Sequence, residues 1–410
     1  MPSRFVVVLL ALVAGLGSAP ATQAQIFRPL GDLPGGLTDS GAYDVTNDGS
    51  MVCGFAASAT EDRVPAVWTD GLGWAELPRN RAGSGQVGDV VFSMSGDGQV
   101  MTGRTDRDGF NVTWGVWEAG SLTNPGGLIS NFNSEGTAVS DDGTKVVGSA
   151  NRGNPESASY VWENGVATKL PDLTSVPFSK AFGISGDGNV ILGSSGGSSR
   201  TSQRIVRWVN GVPQNLNDAF RGRALASSFD GSVIIGDINS GPSDRTLFRW
   251  TSESGIVDLG DLPGGATDGS ALATDAQGDV IVGIVSDDDG RKAGYWSEAT
   301  GLISLADFVT SVGGDLLGYE LEQARGISRN GRFIVGFARN PQGDREAFLI
   351  TIPDCGPADV NGDGLVTPAD FSAWILAFNS RSPACDQNGD GLCLPNDFSA
   401  WVLNFNAGCP

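Results

Sequence analysis

Two short segments near the C-terminus carry oxygen-bearing side chains at the spacing of a calcium-binding loop. The first covers residues 359–370 and has a glycine, Gly364, at its sixth position. Calcium takes about six to eight oxygen ligands, and a glycine at position 6 permits the sharp bend that returns the early ligands to the ion. We predict a first calcium site whose ligands, with Leu365 acting through its carbonyl, are Asp359, Asn361, Asp363, Leu365 and Asp370.

The same pattern returns 27 residues later, at residues 386–397. The predicted ligands of this second calcium ion are Asp386, Asn388, Asp390, Leu392 (carbonyl) and Asp397. Position 9 is Thr367 in the first loop and Leu394 in the second, so we expect a water ligand and weaker binding in the second. A similar apolar segment follows each loop, at residues 371–379 and 398–406, and predicts two helices related as a pair.

Four other aspartates are candidate catalytic groups because they lie in two closely similar loops. They are Asp32, Asp39, Asp261 and Asp268. A carboxylate pair can hydrolyse glycosidic bonds, whereas the chain contains no histidine for a nucleophile and base arrangement. Aspartate is also a common turn former, and we favour this structural interpretation. The acidic run at residues 287–289 is likewise interpreted as a solvated loop in preference to a cation site.

The net charge of the chain restricts its partners. The formal charge is −21, from 26 basic and 47 acidic residues. Such a chain repels phosphate backbones, which excludes nucleic acid as a partner and favours divalent cations. Glycine accounts for 60 of the 410 residues, which indicates many tight turns.

The N-terminal segment predicts export. Arg4 precedes an apolar run at residues 5–16, and small residues follow at Ala19, Ala21 and Ala24. This order is typical of a secretory signal peptide at residues 1–24. No other segment has the roughly 20 apolar residues of a transmembrane helix. We predict a secreted protein, extracellular or associated with the cell surface, with a repeat region at residues 25–352 and a small domain at residues 353–410.

Four of the five cysteines lie in the last 56 residues: Cys355, Cys385, Cys393 and Cys409. In a secreted chain this clustering predicts a small domain stabilised by disulfides. Three pairings are possible, and we favour Cys355 with Cys409 and Cys385 with Cys393. Cys53 lies alone in an apolar segment, and we predict a buried thiol.

The first 350 residues contain a seven-fold repeat. Each copy has an apolar segment, a turn with Asp-Gly or Asn-Gly in most copies, and a second apolar segment that ends in glycine. We expect the turns to be two-residue hairpins with positive φ. The closing glycines are spaced 43 to 53 residues apart, and they are Gly54, Gly103, Gly148, Gly193, Gly236, Gly283 and Gly336. A later segment of each copy ends in an aromatic residue with a predicted structural role: Trp68, Trp117, Trp162, Trp208, Trp250, Trp296 and Phe348.

The segments predict four β-strands per copy, because they are short, rich in Val, Ile and aromatic residues, and bounded by Gly, Asp, Asn or Pro. Seven such units favour an all-β seven-bladed β-propeller, since radial closure hides sheet edges. The region begins with a lone strand at residues 26–30 and ends one strand short. We therefore predict that the N-terminal strand closes the last blade.

Two copies carry a longer shared motif, Leu-Gly-Asp-Leu-Pro-Gly-Gly, at residues 30–36 and 259–265. With the alanines that follow at Ala42 and Ala271, this motif resembles the bacterial extracellular HAF repeats. The resemblance covers residues 26–352. It supports the repeat assignment and implies no particular activity.

The C-terminal domain resembles type I dockerin modules, which are EF-hand-like, and the terminal Gly408-Cys409 resembles the GC-type dockerin-like anchors of planctomycete secreted proteins. The resemblance implies a small α-helical domain that holds two calcium ions in paired loops. Dockerins usually present Ser-Thr at loop positions 10 and 11 to their cohesin partner. Here these positions are Pro368-Ala369 and Pro395-Asn396, which departs from the usual mode of cohesin binding.

From these observations we predict a secreted, non-catalytic recognition or structural propeller. Its calcium-dependent tail would attach it to a cell-surface protein or a cohesin-like scaffold, and a glycan is a candidate ligand of the propeller face. The alternative is a dockerin-borne enzyme that acts on polysaccharides as a glycoside hydrolase or lyase through Asp or Glu. Trp374 and Trp401, one in each predicted helix, are expected to pack in the core of the tail.

Overall fold

The computed structural model describes residues 25–60, 63–80, 88–128, 133–153, 156–197, 199, 202–241, 244–264, 267–353, 356–360, 366 and 368–407. Within them, 28 strands form seven four-stranded antiparallel sheets, and helices follow at the C-terminus. The prediction of a seven-bladed β-propeller with a small helical domain is confirmed. The predicted signal peptide at residues 1–24 lies outside the described residues.

The first four blades follow one another along the chain. Blade one contains β2 (Gly41–Val45), β3 (Met51–Ala56), β4 (Val64–Thr69) and β5 (Gly73–Glu76). Blade two contains β6 (Val90–Met94), β7 (Val100–Asp106), β8 (Val112–Glu118) and β9 (Ser121–Thr123). Blade three contains β10 (Ser134–Val139), β11 (Lys145–Gly153), β12 (Glu156–Glu163) and β13 (Val166–Lys169). Blade four contains β14 (Ser179–Ile184), β15 (Val190–Ser195), β16 (Arg204–Val209) and β17 (Val212–Asn215).

The remaining blades keep the same order. Blade five contains β18 (Gly222–Ser227), β19 (Val233–Asn239), β20 (Arg245–Thr251) and β21 (Gly255–Gly260). Blade six contains β22 (Ser270–Thr274), β23 (Val280–Asp287), β24 (Gly290–Ser297) and β25 (Gly301–Ser304), and helix α1 (Leu305–Ser311) follows it. Blade seven contains β26 (Glu320–Ile327), β27 (Phe333–Arg339), β28 (Arg345–Thr351) and the N-terminal strand β1 (Phe27–Pro29).

The N-terminal strand completes blade seven, as predicted. Phe27 pairs with Ile350 and Pro29 with Phe348 in an antiparallel register. The side chain of Phe27 is fully buried and its ring lies 6.1 Å from that of Phe348. The ring of blades is thus joined by residues from the two ends of the repeat region.

A second connection runs around the ring through the turns after the first strands. Each of these turns has one residue that donates its backbone N–H to the next blade. The donations, at 2.8 to 3.2 Å, run from Asn47 to Gly96, Gly96 to Asp141, Asp141 to Gly186, Asp187 to Phe229, Phe229 to Ala276, Ala276 to Arg329, and Arg329 to the side-chain oxygen of Asn47. The last bond joins blade seven to blade one, so this series of bonds also closes.

The turns themselves are longer than the predicted two-residue hairpins. In the turn after β6, the Gly98 N–H donates to the Ser95 carbonyl at 2.8 Å, and the Ser95 N–H donates to Val100 across four intervening residues. Only the glycine is left-handed, with φ of 73° at Gly98. Asp97 instead accepts a hydrogen bond from the Ser95 hydroxyl at 2.7 Å, so its role is to fix the turn through its side chain.

The pairing of strands explains why the closing position of each repeat is a glycine. Every first strand contains a β-bulge, at Tyr43 in blade one and at the equivalent residue of the other blades. The glycine opposite, for example Gly54, faces the carbonyl of the residue two positions before the bulge, Gly41. A Cβ there would overlap that carbonyl oxygen, and the same holds for all seven closing glycines.

The core lies between adjacent blades. Leu192 and Ile205 of blade four pack with Ile234 and Phe248 of blade five, and all four are buried. The second strands have both faces covered, as in β15, where every residue is buried. A strand buried on both faces reads as a continuous apolar run, which explains the Val and Ile content of these segments.

The repeated tryptophans have the predicted structural role, with one correction of position. Trp68 pairs with Val52 and Trp208 with Ile191, each two residues before the closing glycine, and both tryptophans are buried. In blade seven this place belongs to Ile350, which pairs with Ile334. Assigning Phe348 to it was wrong by two residues, because Phe348 pairs with Gly336 itself.

The C-terminal domain contains two helices, α2 (Pro368–Ser380) and α3 (Asn396–Ala407), and short 3-10 turns at Gly356–Ala358 and Pro383–Cys385. Trp374 and Trp401 occupy equivalent places in the two helices and are each 6% exposed, which confirms their packing in the core. Phe371 connects the helices, with its ring centroid 5.1 Å from Trp401 and 5.8 Å from Phe398.

Candidate functional sites

In the second predicted calcium loop, the oxygen-bearing side chains accept hydrogen bonds from backbone amides of the same loop. Asp386 accepts hydrogen bonds from the amides of Gly389, Asp390 and Gly391 at 2.7 to 3.1 Å. The Asn388 side chain accepts from the Asp390 amide at 2.9 Å, and Asp390 accepts from Leu392 at 2.9 Å. Gly391, at loop position 6, has φ of 80°, which is the conformation that the sequence pattern required.

Asp397, at the last position of this loop, is fully buried and belongs to α3. Its carboxylate accepts from the amides of Gln387 at 3.0 Å, Asn388 at 3.3 Å and Leu394 at 2.7 Å. A helix residue thereby holds the start of the loop. The burial of a carboxylate at this position is costly unless amides or a cation compensate it.

The first loop repeats this arrangement where it is described. Asp370 is fully buried, and its carboxylate accepts from the Val360 amide at 2.9 Å. Val360 and Asp370 have the same loop positions as Gln387 and Asp397, so the equivalence of the two loops extends to this hydrogen bond. Asn361, Asp363 and Leu365 lie outside the described residues, and Asp359 lies within them.

The second loop supplies the ligand types that a hard cation such as calcium prefers, while the described residues contain no three acidic side chains already placed together around one point. A carboxylate has about four acceptor positions. Asp386 and Asp397 each use three of them for backbone amides, and Asp390 uses one. Each side chain therefore keeps capacity to bind a cation, and all ligands are oxygens, which calcium prefers.

A disulfide lies beside this loop. Cys385 and Cys393 are joined, with their Cα atoms 5.6 Å apart, as favoured from the sequence. Trp374 donates from its indole nitrogen to the Cys385 carbonyl at 3.1 Å, which connects α2 to the start of the second loop. The other predicted pair, Cys355 with Cys409, lies outside the described residues. Cys53 in the propeller is free and buried, and burial raises the pKa of its thiol well above 9.0.

In the propeller, Asp32 holds one of the two full motif loops together. One carboxylate oxygen accepts from the amides of Leu33 and Ala57, both at 2.8 Å, and the other accepts from Asp39 at 2.6 Å. Burial raises the pKa of Asp32 above 3.8, and the nearby charge of Asp39 adds to the rise. Asp39 itself forms ion pairs with Arg345 and Arg63.

The second motif loop is held in the same way. Asp261 accepts from the amides of Leu262 and Ser286 at 2.9 and 2.8 Å, and from Asp268 at 3.2 Å. Asp268 pairs with Arg291 at 2.7 Å, in the place that Arg63 has in the first loop. The four aspartates thus fix the conformation and position of their loops, which agrees with the structural interpretation. In the acidic run, the Asp287 side chain accepts from the Asp289 amide at 2.9 Å.

The sequence pattern missed the central channel. It has a volume of about 150 Å³, and the first strands of all seven blades line it. The seven bulged residues contribute to its wall: Tyr43, Phe92, Thr137, Phe182, Leu225, Leu272 and Arg325. These residues vary between copies. The one sequence signal that marks them is their position, directly after a small or apolar residue in the first strand of each copy.

None of the helices in the described part of the chain is long and apolar enough to cross a membrane. No family model matches the sequence, and no curated protein sequence is similar to it.

Solved structures are similar in fold. An oligogalacturonate lyase from Vibrio parahaemolyticus aligns over 80% of this chain and 97% of its own, with a TM-score of 0.53 and 13% identity. An oligogalacturonate lyase in complex with manganese aligns over 76% and 89%, with a TM-score of 0.51 and 15% identity. The propeller domain of the Trilobed protease from Pyrococcus furiosus aligns over 76% and 96%, with a TM-score of 0.50 and 10% identity. At these identities the similarity establishes the propeller fold alone.

Proposed function

We propose that this chain is a secreted recognition protein whose propeller binds a ligand and whose C-terminal domain attaches it, through calcium, to a surface or scaffold protein. The observation that carries the proposal is the second loop, where Asp386, Asn388, Asp390 and Asp397 accept hydrogen bonds from loop amides and keep acceptor positions for a cation. Asp397 has no exposed surface, and a bound cation would balance its buried charge.

The cation would link the two ends of each loop. Asp386 begins the second loop, whereas Asp397 belongs to α3. Calcium bound between them would fix the loop against the helix, and the same holds for Asp359 and Asp370 in the first loop. Because binding of an ion to the folded form stabilises it by mass action, the domain should gain stability with calcium concentration.

Apolar side chains on the two helices support a protein partner. Leu376 and Leu403 are 70% and 72% exposed, and Phe371, Ile375 and Phe398 are exposed as well. A domain this small rarely leaves several large apolar residues in water unless a partner covers them. The residues at loop positions 10 and 11, Pro395-Asn396 in the second loop, differ from those of dockerins that bind cohesins in the usual way. We therefore propose a different surface protein or a cohesin-like scaffold as partner.

Calorimetry on the full chain tests the metal component. After treatment with EDTA and its removal, the native protein should bind two calcium ions, and the double variant Asp386→Ala/Asp390→Ala should bind one. The matched control is Asp288→Ala/Asp289→Ala, which removes two acidic residues from the run at 287–289 and should keep two ions. Binding of no calcium by the native chain, or unchanged stoichiometry in the loop variant, would exclude this function.

A sedimentation assay tests attachment. The full chain should bind the cell envelope of its source organism with calcium and be released by EDTA. Leu376→Asp combined with Leu403→Asp should abolish binding while calcium uptake stays at two ions. If envelope binding does not respond to calcium or to these substitutions, the anchoring role is wrong.

A further inference from the structure

Several arginines of the propeller lie beside aromatic rings, and some of them are also paired with a carboxylate. Arg63 stacks on Phe55 with its guanidinium carbon 4.8 Å from the ring centroid, and Asp39 neutralises it at 3.2 Å. Arg223, 5.6 Å from Phe182, pairs with Asp237. Ring contact and ion pair occur together at these positions, so each guanidinium has its charge balanced within the protein. Arg207, which stacks on Trp250 at 4.7 Å and donates to the neutral side chain of Gln214 at 2.9 Å, shows that a ring contact also occurs outside the channel without such a pair among the described residues.

Arg325 also lies beside aromatic rings, but its polar partner is not a carboxylate. Its guanidinium carbon lies 5.3 Å from the ring centroids of both Tyr43 and Phe337. Its Nε donates to the side-chain oxygen of Gln323 at 2.8 Å, and Gln323 is neutral. Among the described residues, no carboxylate lies within 4.0 Å of the Arg325 guanidinium. A half-buried cation without a counterion is unusual in a chain of net charge −21.

The position of Arg325 makes this charge available to a ligand. Arg325 is the bulged residue of β26, and the other six bulged residues that line the channel are uncharged. Each blade places one equivalent side chain in the channel wall. In blade seven this side chain is a cation. Burial lowers the pKa of Arg325, which fits a guanidinium that is partly withdrawn from water.

The other charged groups of the channel already have partners. Asp141 lies 3.6 Å from Arg329 and accepts from Asn47 at 3.1 Å. Asp44 accepts from the Ser93 hydroxyl and the Met94 amide, both at 3.0 Å, and burial raises its pKa. Arg325 is therefore the charge that a ligand would neutralise, and Asp44 is the group that would oppose an anion.

The volume and the lining residues of the channel further restrict the class of ligand that can bind. The channel has a volume of about 150 Å³, which is enough for about one six-membered ring, and its lining includes the hydroxyl-bearing residues Ser93 and Thr137. Tyr43 and Phe92, whose centroids are 5.1 Å apart, offer aromatic surface beside Arg325. A guanidinium is well suited to pair with a carboxylate. The ligand should thus combine a six-membered ring with a carboxylate.

We propose that the central channel binds the carboxylate of an acidic sugar at Arg325. This inference rests on the proposed recognition role of the propeller and names its ligand class. It is independent of the calcium loops, which lie in the other domain.

Titration calorimetry with the calcium-loaded full chain tests it, with D-glucuronate, D-glucose and acetate as probes in 0.15 M salt. Glucuronate should bind, glucose should not, and acetate should bind at least tenfold more weakly than glucuronate. Equal binding of glucuronate and acetate would show a plain anion site and overturn the assignment to a sugar. Absence of glucuronate binding would overturn the site itself.

Two substitutions in the channel should act in opposite directions. Arg325→Gln removes the cation and should weaken glucuronate binding at least tenfold, whereas Asp44→Asn removes the opposing charge and should strengthen it several-fold. A general structural disturbance would weaken binding in both. The matched control is Arg28→Gln, because Arg28 also lies over a ring, that of Trp68 at 4.8 Å, and pairs with Asp70 outside the channel. Arg28→Gln should bind as the native protein does.

The same samples separate this proposal from the proposed anchoring role. The loop variant Asp386→Ala/Asp390→Ala should lose one calcium ion and bind glucuronate normally. Arg325→Gln should keep two calcium ions. Loss of glucuronate binding in the loop variant would contradict the channel site, whereas a native chain that binds the sugar and no calcium would contradict only the anchor.

Discussion

The propeller and the C-terminal domain are both built by repetition, seven-fold in one and two-fold in the other, but they are stabilised in different ways. The propeller buries apolar side chains between every pair of neighbouring blades, such as Phe248 with Leu192. The tail has a core of few residues around Trp374 and Trp401, together with a disulfide. A small domain buries too little apolar surface to rely on its core alone, which explains the additional covalent bond.

The two domains also differ in which positions are the same in every copy of the repeat. In the tail, loop positions that differ by 27 residues make the same hydrogen bond, from Val360 to Asp370 and from Gln387 to Asp397. In the propeller, the exact positions are those of the bulge and its glycine, whereas the side chains at the bulge differ between blades. Positions that support the fold repeat, and positions that line the channel are free to vary.

The largest expected effect is in the tail core. Trp401→Ala should destabilise the C-terminal domain by about 3 to 5 kcal/mol, because it removes a large side chain from a core with few others. Hydrogen exchange of the tail amides should accelerate while the amides of the propeller remain protected. Leu403→Ala, on the same helix but 72% exposed, is the control and should have little effect. Equal effects of the two would contradict the assigned core.

A closing glycine should be nearly as sensitive in the propeller. Gly236→Ala places a Cβ against the carbonyl oxygen of Arg223 and should cost about 3 kcal/mol of unfolding free energy. Gly211→Ala, at an exposed turn with φ of 76° and open space around it, should cost about 1 kcal/mol. Denaturant unfolding monitored by tryptophan fluorescence measures both. A smaller loss at Gly236 than at Gly211 would show that the bulge can move.

Removal of the disulfide tests whether the tail loses stability independently of the propeller. Cys385→Ala with Cys393→Ala opens a short loop and should destabilise the tail by about 2 to 3 kcal/mol. Cys53→Ala, which removes a buried free thiol from the propeller, should cost about 1 kcal/mol and leave the tail unchanged. Domain-resolved hydrogen exchange distinguishes the two, and an unprotected propeller in the double variant would show that the domains depend on each other.

The smallest effect should come from a turn carboxylate. The amide of Gln99 and the hydroxyl of Ser95 lower the pKa of Asp97 below 3.8. A lowered pKa in the folded state gives stability that is present above the ordinary pKa and is lost as the pH falls through the lowered one. Asp97→Asn should therefore cost less than about 1 kcal/mol at pH 7, and the difference from the native protein should vanish in acid. Asn330, which accepts from Ser328 at 2.6 Å in blade seven, shows that asparagine fits this turn.

Several features of the molecule could be predicted from the sequence because they depend on local spacing. The number of blades follows from the repeated turns and glycines, and the closure by β1 follows from the strand missing at the end of the repeat region. The pair Cys385 with Cys393 follows from a short separation in the chain, since neighbours in sequence have few ways to be apart in space. The two calcium sites stay predictions.

Other features depended on contacts between distant strands. The pairing of Phe348 with Gly336 shows that the aromatic positions of blade seven are displaced, which no count of residues revealed. The aspartates at 32 and 261 are structural because the amides of Ala57 and Ser286, 25 residues away, reach their carboxylates.

The sequence by itself determined the blade count, the closure of the ring and the disulfide between Cys385 and Cys393, because each is recorded in the local order and spacing of residues along the chain. Only the tertiary structure decided that seven variable residues form one channel and that, in the part of the chain that the structure describes, no carboxylate pairs with Arg325. The physical reason is that a β-bulge turns a side chain toward the axis of the ring, and the charges that surround it come from blades hundreds of residues apart.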